Sequence, residues 1–130
     1  MELDIVGYHP QLRDLVHYEP SIDAQSWSIR EARFAKKFAA GRKYIHTVLF
    51  PWLPADTHLR QIAILVSHPK GRDTVAGAEL VSIDEFVQTV RNEVLACGAA
   101  QSAAIPEQYP LLRTLQLSHC GYSRPIASMP

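Results

Sequence analysis

The chain has 130 residues, of which 47% are apolar and 20% charged, and its 13 basic side chains balance its 13 acidic ones. That composition excludes an intrinsically disordered chain and allows a core without disulfides. With no net charge there is no bulk attraction for nucleic acid, so any anion site has to be local.

The first element in chain order is a predicted strand over residues 3–8, Leu-Asp-Ile-Val-Gly-Tyr, rich in strand formers. The polar, proline-containing stretch "HPQLRD" (9–14) suits a hairpin connection. Residues 15–19 of "LVHYEPS" are the returning, antiparallel strand, and Pro20 belongs where no ladder hydrogen bond is needed. Alternation puts His17 on the same face as Glu19 and Tyr18 on the other.

Ser28-Ile29-Arg30-Glu31 reads as a capping box opening a helix over residues 29–43. At about 100° per residue Phe34, Phe38 and Ile45 share one stripe, and Lys36 and Lys43 lie opposite it. Lys37 lies beside the stripe, on the flank of Arg30, Arg33 and Tyr44. A short strand is predicted over residues 46–50, stopped by Pro51. "RQIAILVSH" (60–68) is the strongest strand, its run from Ile62 to Val66 suggesting burial on both faces. Ser82-Ile83-Asp84-Glu85 is a second capping box, for a helix running to Cys97 with Gly98 as its stop. A short helical turn is expected among Ile105, Leu111, Leu112, Leu115 and Leu117. The order strand, strand, helix, strand, strand, helix predicts an α/β domain, a small mixed sheet with helices against it. It spans residues 1–122 and leaves 123–130 as a disordered tail. Cys97 and Cys120 form no CxxC or zinc pattern and are expected to be buried or idle thiols. No apolar run approaches the ~20 residues of a membrane span. With no signal peptide before the fold, the expected location is the cytoplasm.

Two acids sit at the open end of the first hairpin: Asp4 at the start of one strand and Glu19 at the end of the next. Two converging carboxylates can hold a hard divalent cation, which polarises a phosphodiester and lowers the pKa of an attacking water. Alternatively they are solvated strand-end charges. Asp23 can supply a third oxygen or serve as a turn residue. Arg30 and Arg33 can contact phosphates or line a solvated helix face. His17 can orient the acid, act as a base or be a structural histidine. Trp52 can stack on a base or cover the core, and Lys70 and Arg72 form a small basic loop.

In this order of elements the sequence resembles the PD-(D/E)xK nuclease superfamily, the restriction-endonuclease-like fold, over residues 2–97. "ELDIVGY" matches the strand of the first acid and "LVHYEPS" the strand of the (D/E)xK acid. "SIREARFAKKFAAGRKYI" matches the following helix and "HTVLF" the strand after it. The resemblance implies a nuclease hydrolysing nucleic acid, DNA first, with Mg²⁺ or Mn²⁺ as the cofactor. Asp4 and Glu19 would be the metal-binding acids, and Pro20 would offer its backbone carbonyl. Ser21 stands where the family has its lysine. Some members carry that lysine on the following helix, which implies Lys37 as its replacement. The family's fold usually begins with a helix and another strand before the first acid, and Asp4 lies three residues from Met1. The implied consequences are a trimmed fold, a partner or longer parent chain that supplies those elements, or a homodimer formed along the exposed sheet edge. The lost lysine also admits a second reading, a catalytically inactive nuclease fold kept as a binding or scaffolding module.

Overall fold

A computed structural model of the chain describes residues 2–119. Strand β1 (Ile5–His9) turns through Pro10–Arg13 into the antiparallel β2 (Asp14–Ser21), with Ile5 opposite Tyr18 and His9 opposite Asp14. Arg13 takes a positive φ of 50° to close the turn. Helix α1 (Trp27–Tyr44) then crosses over to β3 (Leu59–Leu65), which pairs with β2 in parallel. A short hairpin, β4 (Thr74–Val75) and β5 (Ala78–Ser82), completes a five-stranded mixed sheet in the order β1-β2-β3-β5-β4. The β4–β5 turn uses Ala76 and Gly77, both at positive φ, as a tight two-residue hairpin connection requires.

Pro20 lies within β2, an interior strand, and is tolerated there for a reason visible in the register. Pairing with β1 ends at Tyr18, while pairing with β3 continues to Ser21. At Pro20 the strand therefore has a neighbour on one side only, and a missing N–H is harmless when it points to the open side.

One face of the sheet packs against α1. Phe34 and Phe38 stack with centroids 5.7 Å apart and bury against Ala63, Leu65, Val75, Ala78 and Leu80. Leu15, Ile45 and Leu53 continue the core toward Val6, Tyr8 and Leu59. Ile62 and Ile64 are buried on the opposite face, so β3 is covered on both sides from Ile62 to Leu65, whereas Val66 is exposed.

Three local expectations are corrected. Residues 46–50 are not a strand: Ile45–Leu49 form a π-helical turn that prolongs α1, with the Phe50 amide donating to the Ile45 carbonyl at 2.8 Å. Ile45 stays in the buried stripe this way, and β3 is the strand that follows α1 and pairs with β2. Helix α1 begins at Trp27, after Ser26, and has no side-chain cap, so the Ser28 capping box does not form. Packing of Trp27 against the core and the anchoring of Arg30 start the helix early. Trp52 does not cover the core; it is 67% exposed and meets Tyr8 and Phe50 edge-on.

The chain divides into two compact units, residues 1–84 and 85–130. The second contains most of α2 (Ile83–Ala96), then α3 (Ala100–Ala103) and α4 (Pro110–His119). Gly98, at φ +97°, ends α2 as predicted. Buried Gln116 ties this unit together, donating to the Gly98 and Ala103 carbonyls and accepting from the Ile105 amide at 2.8 Å. Cys97 is a free thiol and is exposed, which leaves the idle alternative of the two expected for it; Cys120 and the predicted tail lie outside the described residues. No helix among the described residues is long and apolar enough to cross a membrane.

Candidate active site

The site lies at the open end of the β1–β2 hairpin. The register that pairs Ile5 with Tyr18 sets Asp4 across from Glu19, and the Asp4 amide donates to Glu19 Oε1 at 3.1 Å. Glu19 is fully buried, on the α1 side of the sheet. A buried carboxylate has to be met by donors or a cation. Glu19 has both: His17 Nε2 at 2.7 Å on Oε1 and Lys37 Nζ at 2.5 Å on Oε2. Lys37 Nζ also reaches Asp4 Oδ2 at 3.1 Å, so one ammonium bridges two carboxylates 15 residues apart in sequence.

The helical phase decides which lysine arrives. Lys37 is partly buried beside the Phe34–Phe38 stripe, and Lys36, one residue earlier, is exposed. Partial burial opposes ionisation of Asp4, but its hydrogen bonds with Lys37 and Glu19 and the charge of Lys37 outweigh this and hold its carboxyl below the usual range. Burial likewise works against the Lys37 ammonium. The hydrogen bonds to Glu19 and Asp4 reverse that and raise it above the ordinary lysine value.

His17, fully buried, is the support of Glu19. Its tautomer follows from Gln61. Arg42 donates to Gln61 Oε1 at 3.0 Å, so the Gln61 amide nitrogen is the group facing the Phe38 carbonyl at 2.9 Å and His17 Nδ1 at 3.1 Å. Nδ1 accepts, and Nε2 carries the proton given to Glu19. Gly41 makes room for this ring. A Cβ there would stand 2.5 Å from His17 Nδ1 and 2.9 Å from Gln61 Nε2. Gln61 and Gly41 were not identified from sequence. The signal for Gly41 was a lone glycine inside an amphipathic helix, which usually marks close packing. Gln61 gave none, because only the pairing of β3 with β2 sets it opposite His17.

A second polar cluster adjoins the first. Ser21 Oγ donates to Asp23 Oδ2 at 2.6 Å and accepts from Arg33 Nη2 at 2.9 Å. Arg33 Nη1 also pairs with Asp23 Oδ2. Asp23 Oδ1 takes the Gln25 amide at 3.1 Å in a turn and also pairs with Arg30 Nε. Asp23 is thus a turn residue committed to arginines rather than a third oxygen beside Asp4 and Glu19. The Ser21 hydroxyl, the Gln25 amide and Arg33 keep its carboxyl well below the usual carboxylate range against the opposing effect of burial. Between the two clusters opens a cavity of about 210 Å³ lined by Glu19, Pro20, Ser21, Arg33, Phe34 and Lys37.

Two carboxylates sharing one cation are the right donors for a hard divalent ion, and Pro20, whose carbonyl is the third donor implied by the resemblance, lines the adjoining cavity. Among the described residues no three His, Cys, Asp or Glu side chains gather to hold a metal, so side chains alone supply two ligands at this point. Arg72 stacks its guanidinium 4.8 Å above the Trp27 ring, on another part of the surface. Comparison with known protein-family models, with curated proteins and with solved structures finds no match for this chain.

Proposed function

We propose that the chain is a metal-dependent nuclease-like domain that hydrolyses nucleic-acid phosphodiester bonds, DNA first, on a fold resembling that of the PD-(D/E)xK nucleases. The observation that carries this reading is the convergence of Asp4 and Glu19 on a single cation, Lys37, at the end of a hairpin followed by a helical crossover to a parallel strand. Mg²⁺ or Mn²⁺ would be held by Asp4, Glu19 and the Pro20 carbonyl, and when bound supplies a Lewis acid and a more acidic water. The chain's own residues do the positioning. His17 and the Asp4 amide fix the Glu19 carboxylate, so that its second oxygen faces Asp4 and Lys37. Lys37 takes the part of the lysine absent at Ser21, orienting the attacking water from the helix. Among the described residues β1 is an edge strand, and its outer edge is where a second copy, or a partner supplying further elements, would add to the sheet.

A specific observation favours the alternative, a catalytically inactive fold used as a binding module. Both Glu19 oxygens are already satisfied, and the Lys37 ammonium takes the place between the carboxylates that a divalent ion needs. Calorimetric titration of wild type and Glu19→Gln with Mg²⁺ and Mn²⁺, alongside cleavage assays on DNA and RNA, separates the two. The nuclease reading expects metal-dependent cleavage and at least a tenfold loss of metal affinity in Glu19→Gln. Equal affinity in the two proteins and no cleavage of any substrate would leave the binding-module reading.

A further inference from the structure

The sequence offers two arginines on the flank of α1 as phosphate contacts, and the structure separates them. Arg30 is a structural residue: its side chain is 6% exposed, and its donors go to Asp23 and, at 2.7 Å, to the Ser67 carbonyl. Arg33 is different. Its side chain is 36% exposed and lines the 210 Å³ cavity beside Glu19. That cavity is several times the roughly 30 Å³ share of a water molecule. Asp23 and Ser21 hold one edge of the guanidinium, and Phe34 lies beneath it with its centroid 5.3 Å from Cζ. Two of its five N–H donors are taken in these contacts, and among the described residues the others meet no hydrogen-bond partner, which leaves them for a ligand. Lys37 lies four residues, about one helical turn, farther along the same face, a rise of about 6 Å.

We propose that Arg33 is the phosphate-binding residue of this site, held in place by Ser21 and Asp23, and that it grips the nucleic-acid phosphodiester lying in the cavity beside Glu19 and Lys37. Ser21 is then more than the gap left by a lysine; it is a positioning residue whose hydroxyl aims a guanidinium from the helix. The charges around the cavity set a condition. Arg30, Arg33 and Lys37 are balanced by Asp4, Glu19 and Asp23, so the cluster by itself is neutral. A divalent cation between Asp4 and Glu19 makes it doubly positive, and the grip on phosphate should tighten only then. This inference rests on the nuclease reading for the identity of its ligand.

The test is fluorescence anisotropy of a labelled short DNA duplex and a labelled single-stranded DNA, with Ca²⁺ replacing Mg²⁺ so that the substrate persists, and with EDTA as the metal-free arm. Wild type should bind more tightly with Ca²⁺ than with EDTA. Arg33→Ala should lose at least tenfold in Ca²⁺ and lower the salt slope of binding by about one. Arg33→Lys should recover part of the affinity, Ser21→Ala should lose a few-fold, and the exposed-face variant Lys36→Ala should match wild type. Circular dichroism on each variant confirms that the fold persists. If Arg33→Ala binds with wild-type affinity and slope while wild type cleaves DNA, the proposal is wrong and the nuclease reading stands. If Arg33→Ala loses binding but wild type never cleaves, the phosphate grip stands and hydrolysis fails. If wild type binds neither probe, both are overturned.

Discussion

Lys37 Nζ lies 2.5 Å from Glu19 Oε2, across 18 residues of sequence and between a helix and the strand it covers. The same ammonium touches Asp4 at 3.1 Å. These contacts join α1 to the open end of the hairpin, and they make the phase of one helix the variable on which the site depends.

Lys37→Ala should therefore abolish any metal-dependent cleavage while divalent-ion binding is kept or strengthened, since lysine is not a ligand and its ammonium competes for the same oxygens. Leaving buried Glu19 short of a partner should also cost about 1–3 kcal/mol of stability. Lys36→Ala should change neither property. Cleavage rates, calorimetric metal affinity and denaturant midpoints measure this, and identical behaviour of the two variants would refute the role given to Lys37. Adding Ser21→Lys to Lys37→Ala should restore part of the activity if charge at the site is what matters.

Gly41→Ala reverses the usual rule for helices. Alanine ordinarily stabilises an exposed helix interior by up to about 1 kcal/mol over glycine. Here the new methyl would press on the His17 ring and the Gln61 amide. We expect a lower melting temperature and a histidine side-chain NMR signal displaced from its wild-type position. An unchanged or raised melting temperature contradicts the packing described.

Phe38 stacks on Phe34 and meets the edge of the His17 ring, with centroids 5.4 Å apart. Its replacement by alanine should cost about 3–5 kcal/mol in chemical denaturation, as for other fully buried aromatics. A loss below about 1 kcal/mol would mean that the helix presents a different face to the sheet.

The acid side of the stability profile should be set by Asp23 and Asp4. Both carboxyls are depressed in the folded protein, so their contribution is complete above the unfolded value of 3.8 and disappears as pH falls toward the folded values. Lys37 is raised above 10.5, so its contribution is complete below that value and is lost as pH rises through the folded one. Asp23→Asn should be less stable than wild type at neutral pH, with the gap closing below about pH 4. Thermal melts from pH 2 to 7 test this; a gap that stays constant through the acid range removes the ionised Asp23 carboxylate, held by Ser21, the Gln25 amide and Arg33, as its source.

How much of this was legible in the sequence depends on the range of the interaction. Period two along Leu15, His17 and Glu19 puts all three on one face, and all three are buried there. The helical period separates Lys37 from Lys36 and aligns Phe34, Phe38 and Ile45, because a residue's direction on a helix is set within one turn. The stop at Gly98 is equally local. The segment after α1 was not decided in this way. His46 to Phe50 is short, with Thr47 and Val48 β-branched, so periodicity fits strand or helix, and the choice was made by keeping Ile45 buried while β3 occupied the slot beside β2. The early start of α1 depends on Trp27 meeting the core and Arg30 meeting the Ser67 carbonyl 37 residues away. The β4–β5 hairpin turns on Ala76-Gly77, a pair that lacks the asparagine or aspartate usual in such turns. Gln61 under His17, and Ser21 joined to Arg33, are partnerships across chain separations of 44 and 12 residues. Sequence determined which side chains of β2 and α1 point inward, but not that Val66 at the end of the β3 run is exposed. Tertiary structure decided which of them meet, because buried polar groups must find partners and those partners come from distant parts of the chain.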